Sequence, residues 1–231
     1  SLIPKSFSLD SYKFFFEYSE YSFRWILNSF IVAAVVTVSN VFFASLAGYA
    51  FAKLRFPGCR FFFFLLLVAM MVPYQVTQVP LYILVVNVLQ MQDTYPALIA
   101  PTLVTCYNVF LAKQFFTSLP TSIIESAKIE GCSQPQIVWK IIMPLSKTIL
   151  AVMAIMTFLG EWNTFFWPFL VCNSEMMQTI QVGLKNFSFA NTTYFAPMMA
   201  GATVSALPMF ILFFSLQRYF LEGVTVGAVK G

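Results

Sequence analysis

Residues 25–51 read WILNSFIVAAVVTVSNVFFASLAGYAF, without a single charged side chain. A helix needs about 20 apolar residues to cross the hydrocarbon core of a bilayer, and this run exceeds that length. Four more runs follow it, Phe61 to Leu89, Tyr95 to Phe116, Leu145 to Leu170 and Phe195 to Phe220. In hydrocarbon a backbone must satisfy its own polar groups, which a helix does within one segment. Long strictly alternating runs, the mark of a membrane barrel, are missing. The expected fold is all-α: a polytopic transmembrane helical bundle with five spans in this chain.

Composition agrees. The chain is 59% hydrophobic and 10% charged, with 28 phenylalanines, whereas soluble domains carry about 25% charged residues. Lipid solvates such a surface and water does not. The net charge of +4 is therefore a matter of loop topology, and nucleic acid is not an expected partner. Cys59, Cys106, Cys132 and Cys172 are scattered, with no C-x-x-C pair and no histidine in the chain. A metal site and a disulfide framework are both disfavoured.

The loops carry an orientation. Lys53, Arg55 and Arg60 follow the first span, Lys113, Lys128, Lys140 and Lys147 sit between the third and fourth, and Arg218 and Lys230 follow the fifth. These face Glu125, Glu130 and Glu222. The other side holds Lys5, Lys13, Arg24 and Lys185 against Asp10, Glu17, Glu20, Asp93, Glu161 and Glu175. Basic loops stay inside. Residues 1–24 are then an extracytoplasmic segment, residues 25–231 a transmembrane domain, and the C-terminus cytoplasmic. A bacterial inner-membrane protein usually reaches an outside start through an upstream span, so a further helix is expected before Ser1.

The second run is interrupted by Pro73 and Pro80, with Tyr74, Gln75, Thr77 and Gln78 between them. Proline removes a helical hydrogen bond and kinks the axis. Such a bend either lines a solute pathway or is satisfied by neighbouring helices; both readings stand.

A polar island, residues 117–144, separates the third and fourth runs. It reads as two short helices. Ser122 and Glu125 have the spacing of a capping box, and Gly131 is a natural stop. Ser133-Gln134-Pro135-Gln136 signals a second start, and Pro144 opens the next long helix. The first helix, Ser122 to Glu130, would be about 13 Å long. Ala127 and Gly131 are four apart and share a face, where small side chains let a partner approach. By spacing alone this is equally a solvated surface helix.

Glu125-Ser126-Ala127, then Gly131, Ile141, Met143 and Pro144, resembles the Glu-Ala-Ala…Gly…Ile-x-Leu-Pro motif of permease subunits of bacterial ABC importers, with Ser126 and Met143 as mild departures. Glu161-Trp162-Asn163-Thr164-Phe165-Phe166-Trp167-Pro168 is similar to the Trp-Asn-Asp-Phe segment of maltose-transporter-type sugar permeases, with Thr164 where aspartate is common. The tail, Gly227-Ala228-Val229-Lys230-Gly231, and the early Asn28-Ser29 resemble the shorter permease of such pairs.

The resemblance implies that the 117–144 loop is a cytoplasmic coupling loop. Glu125, Ser126, Ala127, Glu130, Gly131, Ile141 and Pro144 would then be its ATPase-docking residues. It implies a heterodimer with a second related permease, two cytoplasmic ATPase subunits and an extracytoplasmic sugar-binding protein, all at the bacterial inner membrane. The chain has no G-x-x-x-x-G-K-[ST] phosphate loop and no nucleophile–base set. It is therefore expected to be a transport subunit and not an enzyme, binding no cofactor, with ATP on its partners. Tyr74, Gln75, Gln78, Asn87, Asn108, Trp162 and Asn163 are the candidate pathway residues, because amides, hydroxyls and aromatic faces suit sugars. A permease for polyamine, peptide or phosphonate is the alternative within transport. A passive channel would conduct without a partner, and a membrane enzyme would need a catalytic set.

Overall fold

The structure, a computed structural model, describes residues 8–188 and 194–228. Every regular element among them is a helix: α1 (Asp10–Tyr18), α2 (Ser22–Lys53), α3 (Cys59–Met71), α4 (Tyr74–Tyr82), α5 (Tyr95–Ile99), α6 (Cys106–Ser118), α7 (Thr121–Ile129), α8 (Gln134–Ile137), α9 (Met143–Leu145), α10 (Lys147–Asn163), α11 (Phe166–Val171), α12 (Ile180–Lys185) and α13 (Phe195–Ala228). A π-helical turn, Ile83–Val88, continues α4, and another, Val138–Ile142, joins α8 to α9. Val229, Lys230 and Gly231 of the expected tail signature, and Lys5, lie outside the described residues.

The organising element is α2, 32 residues and thus about 48 Å long. Its buried positions, Trp25, Asn28, Ser29, Val32, Val36, Asn40, Ala44 and Gly48 among them, recur at three- and four-residue intervals. That stripe is rich in small and polar residues. Large apolar side chains, Phe23, Leu27, Phe30, Val38 and Phe43, point outward. The pattern is inverted relative to a soluble helix and suits lipid, where small residues and hydrogen bonds hold helices together. Gly48 shows the closeness: a Cβ there would lie 2.5 Å from the Ala112 Cβ of α6.

Three clusters line α2 in turn. Trp25 packs with Phe15, Phe158, Trp162 and Phe187 near its start. Val36 meets Val85, Leu98, Trp167 and Val171. Ala44 and Tyr49 meet Ala112, Phe116, Ile124 and Ile137 near its end.

Helices α2 and residues Phe195–Ser215 are each long and apolar enough to cross a membrane, and the number rises to five if each bent pair is one span. The bends have local causes. The second run turns by 94° between α3 and α4, because Val72 precedes Pro73 and takes an extended conformation, φ −74° and ψ 120°; the residue before proline avoids the α region. Pro80 does not interrupt the chain as expected. It lies inside α4, and the wider π turn follows it.

The fourth run departs further from expectation. Pro144 does not open the long helix. It sits in α9, the chain turns by 79° at Ser146, and Lys147 begins α10. Nor does α10 reach Leu170. It stops at Asn163, and α11 is a separate helix. Pro168 has no N–H to bond the Thr164 carbonyl four residues back, while the Thr164 hydroxyl donates to the Gly160 carbonyl at 2.8 Å.

The third run bends by 40° between Tyr95–Thr102 and α6, and α2 satisfies the groups that this frees. The Asn40 amide donates to the Thr102 carbonyl at 2.7 Å, and the Ser39 hydroxyl to the Leu103 carbonyl at 2.7 Å. The Asn40 Oδ1 accepts from the Thr105 backbone N–H at 2.9 Å and from the Thr105 hydroxyl at 3.0 Å. Irregular backbone at membrane depth survives where protein covers it.

Candidate functional site

Helix α7 is built by two unequal ends. Its start has no side-chain cap; Pro120 precedes Thr121, so the helix begins one residue earlier than expected. Ser122 is therefore inside the first turn, the predicted Ser122–Glu125 box does not form, and Glu125 is free on the surface. The far end is a Schellman motif. Gly131 has φ +81°, its N–H bonds the Lys128 carbonyl at 3.0 Å, and the Cys132 N–H bonds the Ala127 carbonyl at 3.0 Å. The second helix of the loop starts as its sequence predicts, with the Ser133 N–H donating to Gln136 Oε1 at 2.8 Å.

Helix phase decides which side is offered outward. Ile124 and Ala127 face the core, each 4% exposed. This corrects the small-residue face expected from Ala127 and Gly131: Ala127 packs against its own chain. Outward stand Glu125, Ser126, Lys128, Glu130 and Gly131, with Ile129, missed from sequence, at 88% exposure. Ile141 is half-buried and Pro144 exposed. The loop is tied to the end of α2: the Lys53 ammonium donates to the Leu119 carbonyl at 2.6 Å, and the Tyr49 hydroxyl to Gln134 Oε1 at 3.1 Å.

The candidate pathway residues do not share one environment. Gln75, Asn87 and Tyr74 are exposed. Asn108 and Trp162 are buried and hold helices together. The Asn108 amide donates to Asn40 Oδ1 at 3.0 Å and to the Thr157 hydroxyl at 2.8 Å. The Trp162 indole N–H donates to the Ser205 carbonyl of α13 at 3.0 Å. Asn163 is exposed, but its amide caps α10 by donating to the Leu159 carbonyl at 2.8 Å. Gln78 stands apart. It is 2% exposed and lies beside the Tyr74 hydroxyl of its own helix.

At the other end of α2, Asn28 and Ser29 hold the segment that follows α11. The Asn28 amide donates to the Met176 and Gln178 carbonyls at 3.0 and 2.9 Å, while its oxygen accepts the Tyr95 hydroxyl at 2.7 Å. The Ser29 hydroxyl accepts the Ile180 N–H at 2.8 Å.

Residues 40–226 match the family described as "Binding-protein-dependent transport system inner membrane component". The chain belongs to this family. The permease is 36% identical over 228 residues to the arabinooligosaccharides transport system permease protein AraQ of Bacillus subtilis (strain 168), covering 99% of this chain and 81% of that protein. It is 32% identical to the sn-glycerol-3-phosphate transport system permease protein UgpE of Yersinia pestis, covering 86% and 71%. In fold it is similar to a chain from a bacterial ABC transporter involved in the import of the acidic polysaccharide alginate, with TM-score 0.82, 23% identity, and 94% and 81% of the two chains covered.

Within the permease, no group of three or more His, Cys, Asp or Glu side chains capable of holding a metal converges among the described residues. Ser39 and Asn40 were missed by sequence reasoning. The available signal was polarity, since a serine–asparagine pair amid apolar residues of a span must find partners. Glu161 was placed by sequence only in an outer loop count. The structure sets it half-buried near the end of α10, beside the Thr102 hydroxyl.

Proposed function

We propose that this permease forms, with a second related permease, the pathway by which an ATP-driven importer moves a sugar delivered by an extracytoplasmic binding protein. The chain crosses the membrane five times, its C-terminus is cytoplasmic, and the 117–144 loop docks on one of the two separate ATPase subunits that hold the ATP. The arabinooligosaccharide system of the AraQ relative, matched along almost the whole chain, supports a sugar as solute.

The observation that carries the docking reading is the shape of α7. Its inner side is anchored in the core through Ile124 and Ala127, and its outer side presents Ile129 between Glu125, Lys128 and Glu130. An apolar knob ringed by charges on a short, rigidly ended helix suits a cleft in a partner. Glu125, Ser126, Glu130 and Gly131 lie on or beside that outer side. Ala127 serves it from beneath, while Ile141 and Pro144 belong to the support behind. Closure of the ATPase dimer would pull the docked helices together and rock the spans. ATP does this only through different affinities for the two states.

Reconstituted vesicles test the proposal. Uptake of labelled arabinotriose should require the binding protein and ATP, and should vanish in Ile129→Asp while the variant permease still inserts. Uptake that persists without nucleotide would refute it.

A further inference from the structure

A tight turn joins α2 to α3, and its sequence dictates its geometry. Phe56-Pro57-Gly58-Cys59 has proline and glycine at the two central positions. Gly58 takes φ +80° and ψ 0°, and the Cys59 N–H bonds the Phe56 carbonyl at 3.2 Å. This is a type II turn, which needs a positive φ at its third residue. It brings Arg55, just before the turn, and Arg60, just after it, to one surface cavity of about 670 Å³, walled also by Leu54, Phe56 and Phe61.

The cavity is basic and carries no counter-charge of its own. No acidic side chain lines it among the described residues. Both guanidiniums are exposed and lack a hydrogen-bond or ion-pair partner among those residues. Lys53, by contrast, is committed to the Leu119 carbonyl. The Phe56 ring is held 5.9 Å from that of Phe51 in α2. Beyond the cavity, α3 is uncovered. Phe61, Phe64, Leu65 and Val68 are exposed, and their three- and four-residue spacing puts them on one side of the helix.

Two forked cations at the foot of an uncovered apolar stripe match a phosphate that carries hydrocarbon. Guanidinium groups bind phosphate oxygens in bidentate pairs, and basic pockets between membrane helices hold anionic lipid headgroups. A free anion would use the arginines and leave the stripe idle. An acidic protein surface would do the same.

We propose that Arg55 and Arg60 form a binding site for an anionic phospholipid. Its phosphate bridges the two guanidiniums, and an acyl chain lies along Phe61, Phe64, Leu65 and Val68. The bound lipid braces the foot of the segment that bends before Pro73. The inference goes beyond the sugar reading and holds whichever solute is carried.

The test uses the assembled complex in bilayer discs of equal parts phosphatidylglycerol and phosphatidylcholine, released into detergent and weighed by native mass spectrometry. Wild type should retain phosphatidylglycerol over phosphatidylcholine at least about tenfold, the scale of one hydrogen bond between charged groups. Arg55→Gln/Arg60→Gln should lose that preference, and each single change should weaken it several-fold. Lys13→Gln/Arg24→Gln removes as many exposed cations elsewhere and should leave it unchanged. Excess inorganic phosphate should not displace the lipid. Equal retention of both lipids by wild type would overturn the site even if the double variant failed to insert. So would unchanged preference in both single variants, or an equal loss in Lys13→Gln/Arg24→Gln. Displacement by phosphate would assign a simple anion site, and loss of the ATPase subunits from the arginine variants a protein contact; either result overturns the lipid assignment.

Discussion

Asn40 concentrates more of the structure's logic than any other side chain. Its two amide atoms serve Thr102, Thr105 and Asn108 at once, so one residue of α2 makes the third segment's bend tolerable in hydrocarbon. Asn40→Leu keeps the volume near native but leaves a carbonyl and an N–H unpaired. The expected loss is about 1–3 kcal/mol, read as a lowered Tm in detergent. Asn163→Ala removes the bonds to the Leu159 carbonyl and the Met209 sulfur at an exposed site and should move Tm far less. Gly131 is special for a different reason. No atom crowds a Cβ there, yet its φ of +81° strains any other L residue by about 1–2 kcal/mol. Gly131→Ala should therefore fray α7 and cut binding-protein-stimulated ATPase while membrane insertion stays normal. Gly131→Asn, which tolerates that conformation better, should retain more activity.

At the scale of elements, α2 and α6 meet at a contact that tolerates little change. Gly48→Leu would drive its side chain into Ala112, with an expected cost of about 1–3 kcal/mol or more. Co-purification of the importer complex should fall accordingly. The apolar runs were legible in the sequence because length and lack of charge are local properties. Gly131 as a helix stop and the Ser133–Gln136 start were legible for the same reason. The orientation of Ala127 was not: a shared face with Gly131 follows from spacing, but which face turns inward depends on Tyr49, distant in sequence, and on how Phe116 and Ile137 of the flanking helices fold back onto it. The turn at Ser146 and the early end of α10 at Asn163 were hidden inside one apolar run. Hydropathy reports that a segment suits lipid and is silent on where its axis breaks. Glu161 beside Thr102 likewise depends on how separate segments meet.

Over the whole molecule, two kinds of break coexist. The third segment's bend is clamped to α2 by Ser39 and Asn40. Among the described residues the second segment's sharper bend has no such clamp, and α3 has no buried residue. We expect α2 and α6 to move as one body while α3 and α4 change angle about Pro73. Pro73→Ala should straighten the second segment and bias the cycle, which altered ATPase activity without binding protein would reveal.

In the proposed mechanism α7 transmits nucleotide-driven motion from a separate ATPase into these helices. The most direct measurement places a single cysteine at Ile129, with Cys59, Cys106, Cys132 and Cys172 replaced by serine, and crosslinks it to cysteines in the ATPase cleft. The expected result is a crosslink whose yield changes with ATP, and protection of Ile129→Cys from membrane-impermeant thiol reagents added outside. Labelling from outside, or no crosslink in any nucleotide state, would contradict it.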